Sequence, residues 1–231
     1  MVSVYLLAGL SIGVILWRIL FSKKPNLKMG FVAKTLASLF FFLAGVSAAF
    51  YVAGGMSSIK VQLMVIALAL ALVGDIILAL PSYAQPEFES LFSSVGGISF
   101  FAGHILYIVA FFIGVEFNYY LIPVLLIPPL LFCLLIRTRL MTPGKNTIPI
   151  LAYSVILGVL LLSVVNMISY KMVQGYLALP ASILFIISDA SLFVYNFGVD
   201  ERSRSRFVKN YLVLLPYFIA QSIFAISITL L

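Results

Sequence analysis

The chain has 231 residues, of which 64% are hydrophobic and 9% are charged, and its mean hydropathy is +1.21. This composition excludes a soluble globular domain and is typical of a protein that crosses a membrane several times. A net charge of +7 would suit a nucleic-acid-binding protein, but the basic residues flank apolar runs and form no single patch. We therefore expect the lipid bilayer as its surroundings and no nucleic acid among its partners. Cys133 is the single cysteine, which excludes a disulfide framework.

Eight apolar runs are long enough to cross a bilayer, which takes about 17–25 residues of helix. They lie at 2–21, 29–52, 60–80, 93–114, 119–136, 147–170, 175–197 and 208–230. The connections between them are too short to hold a soluble domain. The sequence therefore predicts an all-α bundle of eight transmembrane helices that forms one domain over residues 1–231.

The basic residues separate onto two sides of this predicted bundle. The side with both termini holds two of them, Lys60 and Lys171. The other side holds twelve, namely Arg18, Lys23, Lys24, Lys28, Lys34, Arg137, Arg139, Lys145, Arg202, Arg204, Arg206 and Lys209. Because loops rich in Lys and Arg stay in the cytoplasm, we predict that both termini are non-cytoplasmic. The host membrane would be the cell (inner) membrane of a bacterium or the endoplasmic reticulum membrane of a eukaryote.

Eight polar or ionisable residues inside the predicted spans are candidates for a functional site. In chain order they are Lys34, Asp75, His104, Tyr107, Ser188, Asp189, Tyr217 and Gln221. An ionisable side chain within a bilayer is costly and by default marks a partner or a wet cavity. The rise of the helices places all eight in the cytoplasmic half or near the midplane, where they could converge on one polar chamber.

Most of these candidates also have a purely structural interpretation. Lys34 would either extend to the membrane surface or pair with an aspartate or a substrate phosphate. His104 and Gln221 would either hydrogen-bond a neighbouring helix or take part in chemistry. Tyr107 and Tyr217 would either pack or function. For the two aspartates, the structural alternative is a Lys–Asp pair that holds the bundle together.

The third and fourth predicted helices are similar to the seventh and eighth. A G-D-x-x-L segment contains Asp75 and is followed, 29 positions after that residue, by His104. An S-D-x-x-L segment contains Asp189 and is followed after 28 positions by Tyr217. This similarity is compatible with a parallel duplication of four helices, with a pseudo-axis along the membrane normal.

Several kinds of chemistry remain open for such a set of residues. Zinc hydrolases typically use three His, Asp or Glu ligands, and Asp75, Asp189 and His104 are a conceivable set. A single histidine departs from the multi-histidine pattern of intramembrane zinc hydrolases, and a G-x-S-x-G nucleophile motif is absent, so we expect no metal and no cofactor. Two neighbouring carboxyl groups in an apolar surrounding would act as one acid and one base. They would equally relay protons in a transporter or lipid-flipping protein, or belong to a non-catalytic module that binds lipid. The absence of obvious broken helices argues against a transporter, because Pro123, Pro128 and Pro129 in the fifth predicted span are the only strong interruption in the sequence.

At these residues the sequence resembles the YhhN-like membrane proteins, a family that includes the lysoplasmalogenases. The resemblance rests on the order and spacing of five blocks, Lys34–Leu36, Val73–Leu78, Gly103–Tyr107, Leu184–Asp189 and Tyr217–Gln221. Phe218 departs from the pattern, because many members carry a second tyrosine there. The eight-span count also fits the family.

The resemblance implies an ether hydrolase that acts on a lysophospholipid. It implies cleavage of the vinyl ether bond of a lysoplasmalogen into a fatty aldehyde and a glycerophospho-ethanolamine or -choline, with Asp75 and Asp189 as the catalytic residues. One aspartate would act as the acid and the other as the base, and which does which stays open.

The remaining candidates would support this chemistry. His104 and Tyr107 would orient the water or tune the acid, and Ser188 would hydrogen-bond Asp189. Lys34 would meet the phosphate group near the cytoplasmic surface.

Overall fold

The computed structural model describes residues 1–21, 27–80 and 89–231. Within these residues, eight helical segments are long and apolar enough to cross a membrane. The α-helices are α1 (Val2–Phe21), α2 (Leu27–Ala49), α3 (Ile59–Ala79), α4 (Glu89–Phe112), α5 (Ile127–Arg137), α6 (Thr147–Ser169), α7 (Val173–Phe197) and α8 (Leu215–Ser227). A helix suits this role because lipid offers no partners to backbone N–H and C=O groups, which a helix pairs internally. The predicted all-α fold of eight spans is confirmed, and the protein is an integral, multi-pass membrane protein.

The predicted orientation of the chain stays a prediction. Lys23 and Lys24, two of the basic residues on the predicted cytoplasmic side, lie outside the described residues. Within the described part, the loop after α5 contacts the end of α7, because the Thr142 N–H donates a hydrogen bond of 2.8 Å to the Phe197 carbonyl. These two loops therefore lie on the same side, as the alternation of spans requires.

The fifth span contains the interruption that its prolines predicted. It begins as a 3₁₀-helix, Tyr119–Leu126, with Pro123 inside it, and continues as α5. Pro128 and Pro129 occupy the first turn of α5, where the missing N–H groups would have no partner in the helix in any case. Asn118 caps the segment by accepting a hydrogen bond of 3.1 Å from the Tyr120 N–H.

The eighth span contains an irregularity that the sequence did not predict. It begins as a π-helix, Val208–Leu214, then becomes α8, and ends in a 3₁₀ turn, Ile228–Leu230. Pro216, the second residue after the π-helical turn, has no N–H group to donate to the turn before it. Inserted π turns of this kind frequently occur at functional sites.

The chain divides by its internal contacts into two compact units. The first comprises Met1–Ala110 and Gln221–Leu231. In it α2 packs against α1, α3 and the terminal 3₁₀ turn. Gly45 permits the close approach of α3, because a Cβ atom there would collide with the Leu68 side chain.

The second unit comprises Phe111–Ala220. Its central helix is α6, which packs against the 3₁₀ segment of the fifth span, α5 and α7. Phe132, Leu157 and Ile186 form part of its buried core. Gly158 permits the closest approach, because a Cβ atom there would collide with the carbonyl oxygen of Leu125.

Candidate functional site

Asp75 lies on α3 in the first unit, and two side chains of α2 hold its carboxyl group. The Lys34 Nζ atom lies 3.0 Å from Oδ1 of Asp75, and the Ser38 hydroxyl donates a hydrogen bond of 2.5 Å to Oδ2. The side chain of Asp75 is 1% exposed and that of Lys34 is 17% exposed. Burying a charge is costly unless an opposite charge and hydrogen bonds compensate for it, and α2 supplies both.

Lys34 and Ser38 reach the same carboxyl group because they are one helical turn apart on one face of α2. The Ser38 oxygen also lies 2.9 Å from the backbone carbonyl of Lys34, so its one proton is shared between two acceptors. The shorter contact is the one to the carboxylate, as expected for a charge-assisted hydrogen bond. Pairing of Lys34 with an aspartate is one of the interpretations that the sequence left open.

Glycines bring α4 close to the helix that carries Asp75. A Cβ atom on Gly74 would lie 2.9 Å from the Phe100 ring, and one on Gly103 would lie 3.3 Å from the Ala67 carbonyl. Side chains larger than hydrogen at these positions would push the two helices apart. The glycine that precedes Asp75 therefore determines how closely α4 covers this part of α3.

His104 and Tyr107, both buried, lie on α4 in the same unit. His104 Nδ1 is 2.8 Å from the Phe100 carbonyl, and a carbonyl only accepts, so Nδ1 carries a proton. The Tyr107 hydroxyl donates a hydrogen bond of 3.0 Å to Oε1 of Gln221 on α8. Its ring packs on Phe224 with 4.7 Å between ring centroids. Gln221 therefore links α8 to α4, which is the structural interpretation that the sequence left open for it.

Asp189 lies on α7 in the second unit, and Tyr153 of α6 is its partner. The Tyr153 hydroxyl donates a hydrogen bond of 2.9 Å to Oδ2 of Asp189, which is buried. Asp189 forms no ion pair with any described residue. The two aspartates therefore differ in their partners, since Asp75 is paired with a cation and Asp189 with a neutral hydroxyl group.

Tyr153 is absent from the candidates that the sequence predicted. It lies 36 positions before Asp189, in an apolar run that also contains Ser154 and Ser163. Nothing in the periodicity of α6 distinguishes it from a tyrosine that only packs. The only feature of the sequence that could have identified Tyr153 is its hydroxyl group within a predicted span. Several other residues of the chain also place a polar group within a span.

The structure corrects the prediction that Ser188 hydrogen-bonds Asp189. The Ser188 hydroxyl instead donates a hydrogen bond of 2.9 Å to the carbonyl of Val213, in the π-helical turn of the eighth span. Adjacent residues on a helix point about 100° apart, so Ser188 faces the eighth span while Asp189 faces Tyr153. The serine joins α7 to the last span and leaves the carboxyl group to another partner.

Tyr217 is buried among aromatic rings of the second unit. Its ring makes edge-to-face contacts with Phe185 and Phe218, with 5.7 Å and 4.9 Å between ring centroids. Phe218 is fully buried, so this departure from the family pattern fills space in the interior.

The candidates divide between the two units. Lys34, Asp75, His104, Tyr107 and Gln221 belong to the first unit, and Ser188, Asp189 and Tyr217 to the second. Among the residues whose burial the structure describes, each unit thus contains one buried carboxyl group on a spanning helix, with its own hydrogen-bond donor from the helix before it. The expectation that all eight residues line one chamber stays a prediction.

The arrangement offers acid–base chemistry by carboxyl groups. A carboxyl group paired with a cation acts readily as a carboxylate, and one bound by a neutral donor can carry a proton. Within residues 1–21, 27–80 and 89–231, no three His, Cys, Asp or Glu side chains are grouped so that they could hold a metal ion.

Comparison with known proteins finds one family. The model of the YhhN family matches residues 27–228, which include all eight candidates and run from the start of α2 into the last span. Among curated proteins and among solved structures, none matches the chain.

Proposed function

Because the chain belongs to the YhhN family, we propose that it is an intramembrane hydrolase that cleaves the vinyl ether bond of lysoplasmalogens. The products would be a fatty aldehyde and a glycerophospho-ethanolamine or -choline. The observation that carries the proposal is the presence of two buried carboxyl groups, Asp75 and Asp189, on membrane-spanning helices. Such residues are functional by default, because a bilayer penalises them.

The reaction needs an acid and a base. The acid transfers its proton to the β-carbon of the vinyl ether, and the double-bond electrons form the new C–H bond, which leaves an oxocarbenium ion. Water then adds to the α-carbon and gives a proton to a carboxylate. The resulting hemiacetal loses the proton of its hydroxyl group while the ether oxygen gains one, so that the C–O bond breaks and an aldehyde and an alcohol form. Glycosidases divide the work between two carboxyl groups in the same way for a related cation.

The partners of the two aspartates favour one division of roles. Asp189 suits the acid, because its partner Tyr153 is neutral and leaves the carboxyl group free to carry a proton. Asp75 suits the carboxylate that stabilises the cation and receives the proton of the water, because Lys34 compensates for its charge. Lys34 is also partly exposed, so its ammonium group would bind the substrate phosphate in addition to Asp75.

The remaining candidates support these two groups. His104, with its proton fixed on Nδ1, would orient the water through the other ring nitrogen. Tyr107 and Gln221 would hold α4 and α8 in place around it. The alkenyl chain of the lysophospholipid would lie among the apolar side chains of the spans.

The test is release of aldehyde from lysoplasmalogen by the purified, detergent-solubilised protein. We expect wild type to release aldehyde and both Asp75→Asn and Asp189→Asn to lose at least about 10²-fold in rate, the usual contribution of general acid–base catalysis. Asp200→Asn is the matched control, because it makes the same chemical change on an exposed loop. Full activity in either span variant would remove that aspartate from the mechanism.

A wild-type protein that is folded and releases no aldehyde would overturn the proposed hydrolysis. Saturable binding of the lysolipid without turnover would then indicate a lipid-binding module. Movement of lipid coupled to a proton gradient would indicate transport. The interrupted fifth and eighth spans would be compatible with it, because transporters typically contain discontinuous helices.

A further inference from the structure

Tyr153 is the residue that the structure adds to the acid–base groups. It lies on α6, and its hydroxyl donates a hydrogen bond of 2.9 Å to Oδ2 of Asp189 on α7. Among the described residues, no other side chain hydrogen-bonds this carboxyl group. The resemblance to the YhhN-like proteins implied no role for this tyrosine, and its hydrogen bond to Asp189 is the observation that indicates one.

The neighbouring aromatic rings determine where the Tyr153 hydroxyl points. Phe193, one turn after Asp189 on α7, meets the Tyr153 ring at 5.8 Å and 71°. Phe193 also meets the ring of Phe132 on α5 at 5.7 Å and 71°. Edge-to-face contacts of this kind restrict the orientation of both rings. The phenol is therefore held toward Asp189 by residues of two helices.

We propose that Tyr153 is a positioning residue for Asp189, fixing Oδ2 so that Oδ1 is the oxygen that exchanges protons with the substrate. The proposal rests on the proposed hydrolase function. A carboxyl group rotates easily about its terminal torsion, which is broad in energy. A donor on one oxygen restricts this rotation and distinguishes two oxygens that are otherwise equivalent.

The same hydrogen bond assists the proton transfer itself. While Asp189 carries its proton on Oδ1, the Tyr153 hydroxyl binds a neutral carbonyl oxygen at Oδ2. Once the proton has moved to the β-carbon of the substrate, the same hydroxyl binds a carboxylate, and hydrogen bonds to an ionised acceptor are roughly twice as strong. Tyr153 thus stabilises the state that forms during the transfer more than the state that precedes it.

Tyr153→Phe tests this role, because it removes the hydroxyl and keeps the ring between Phe193 and Asp189. We expect kcat to fall by about 10- to 100-fold, the size of effect that misplacement of a reacting group produces. KM should stay within about twofold, since a group that acts in the chemical step contributes little to ground-state binding. The matched control is Tyr176→Phe, which removes an equivalent hydroxyl from an exposed position on α7 and should change neither constant. An unchanged kcat in Tyr153→Phe would overturn the proposal.

Infrared spectroscopy separates this proposal from the function on which it rests. The carboxyl stretching band that Asp189→Asn removes belongs to Asp189, and we expect Tyr153→Phe to shift this band while Tyr176→Phe leaves it in place. A band that does not move would overturn the assignment of Tyr153, even if the wild type hydrolyses lysoplasmalogen. If Tyr153→Phe shifts the band but the wild type shows no turnover, the hydrogen bond between Tyr153 and Asp189 is supported. The proposed hydrolysis, and with it the catalytic part of the proposal, is then overturned. Equal melting temperatures in detergent would show that the variants are folded.

Discussion

Lys34 and Asp75 form an ion pair between two adjacent spans, with Nζ 3.0 Å from Oδ1. The carboxyl end of the pair is buried, and the ammonium end is partly exposed. A buried ion pair gains little over a well-packed apolar pair, whereas loss of one partner leaves a charge without compensation. The stability of the first unit therefore depends on keeping both residues or on removing both.

Removal of Lys34 alone should be the most damaging single change to this pair. We expect Lys34→Met to lower the free energy of unfolding by about 3–5 kcal/mol, the typical cost of breaking a buried pair. Asp75→Asn should cost less, because the partly exposed Lys34 ammonium can turn toward water or lipid headgroups. The measurement is unfolding in mixed detergent micelles.

The double variant Lys34→Met/Asp75→Asn provides the control for this prediction. It should be more stable than Lys34→Met alone, because no uncompensated charge remains. Additive effects of the two substitutions would show that the ion pair contributes no coupling energy.

The hydrogen bond from Ser38 to Asp75 should contribute to stability through the charge of its acceptor. We expect Ser38→Ala to cost about 1.5–3 kcal/mol, the range for hydrogen bonds to charged groups. Ser11→Ala is the matched control, because the buried Ser11 hydroxyl donates to the neutral carbonyl of Ala37 at 2.8 Å. It should cost about 0.5–1.5 kcal/mol. Equal costs for the two variants would contradict a special role for the carboxylate.

The sequence identified these charged groups more readily than it identified their partners. Asp75 and Asp189 could be identified from the sequence because each is the one acidic residue in a long apolar run. The donor of Asp189 depends on how α6 packs on α7, and the periodicity of one helix contains no information about the residue that faces it from another. The wrong partner, Ser188, came from proximity along the chain, although neighbouring positions on a helix face different directions.

Tyr107 and Gln221 should be coupled in stability more than in catalysis. A double-variant cycle with Tyr107→Phe and Gln221→Leu should give a coupling of about 0.6 kcal/mol, the average for hydrogen bonds between membrane helices. The structural reason is the hydrogen bond of 3.0 Å between α4 and α8. A coupling near zero, with a large loss of turnover in Gln221→Leu, would instead assign the glutamine to the chemistry.

The close approach of two segments at Gly158 should make this position intolerant of any side chain. We expect Gly158→Ala to lower the free energy of unfolding by about 1–3 kcal/mol, the cost of overpacking a core. The added Cβ atom would collide with a backbone oxygen, that of Leu125, which cannot rotate away as a side chain can. Gly13→Ala in α1 is the control, since a Cβ atom there would have no neighbour within 4 Å. It should be neutral or stabilising by up to about 1 kcal/mol, because alanine is the better helix former.

The predicted topology is open to a direct test with single cysteines. In a Cys133→Ser background, Ser57→Cys and Glu201→Cys would each introduce one thiol into an exposed loop. A maleimide that does not cross membranes should label Ser57→Cys in sealed right-side-out vesicles and should label Glu201→Cys only after permeabilisation. The reverse pattern would invert the orientation inferred from the basic residues.

The spans themselves could be predicted from length and apolar composition, because a helix must be long enough to match the bilayer. The prolines of the fifth span also predicted its interruption, because Pro123 lacks the N–H group that an α-helix uses for its backbone hydrogen bonds. The π-helical turn had no comparable signature. Pro216 alone fits an ordinary kink equally well, and the choice between the two depends on packing against α7.

That turn forms the first part of the last span, directly before α8. A π-helical turn holds about one residue more than an α-helical turn, so residues at the start of this span are rotated by about 100° relative to the positions that a continuous α-helix would give them. Deletion of one residue from this turn would restore a continuous α-helix and would leave Tyr217 and all later residues in register. It would also turn Lys209 away from the Tyr195 ring, over which its ammonium group now lies at 5.6 Å. The last span can therefore lose a residue at this one place without changing the register of the aromatic cluster that follows it.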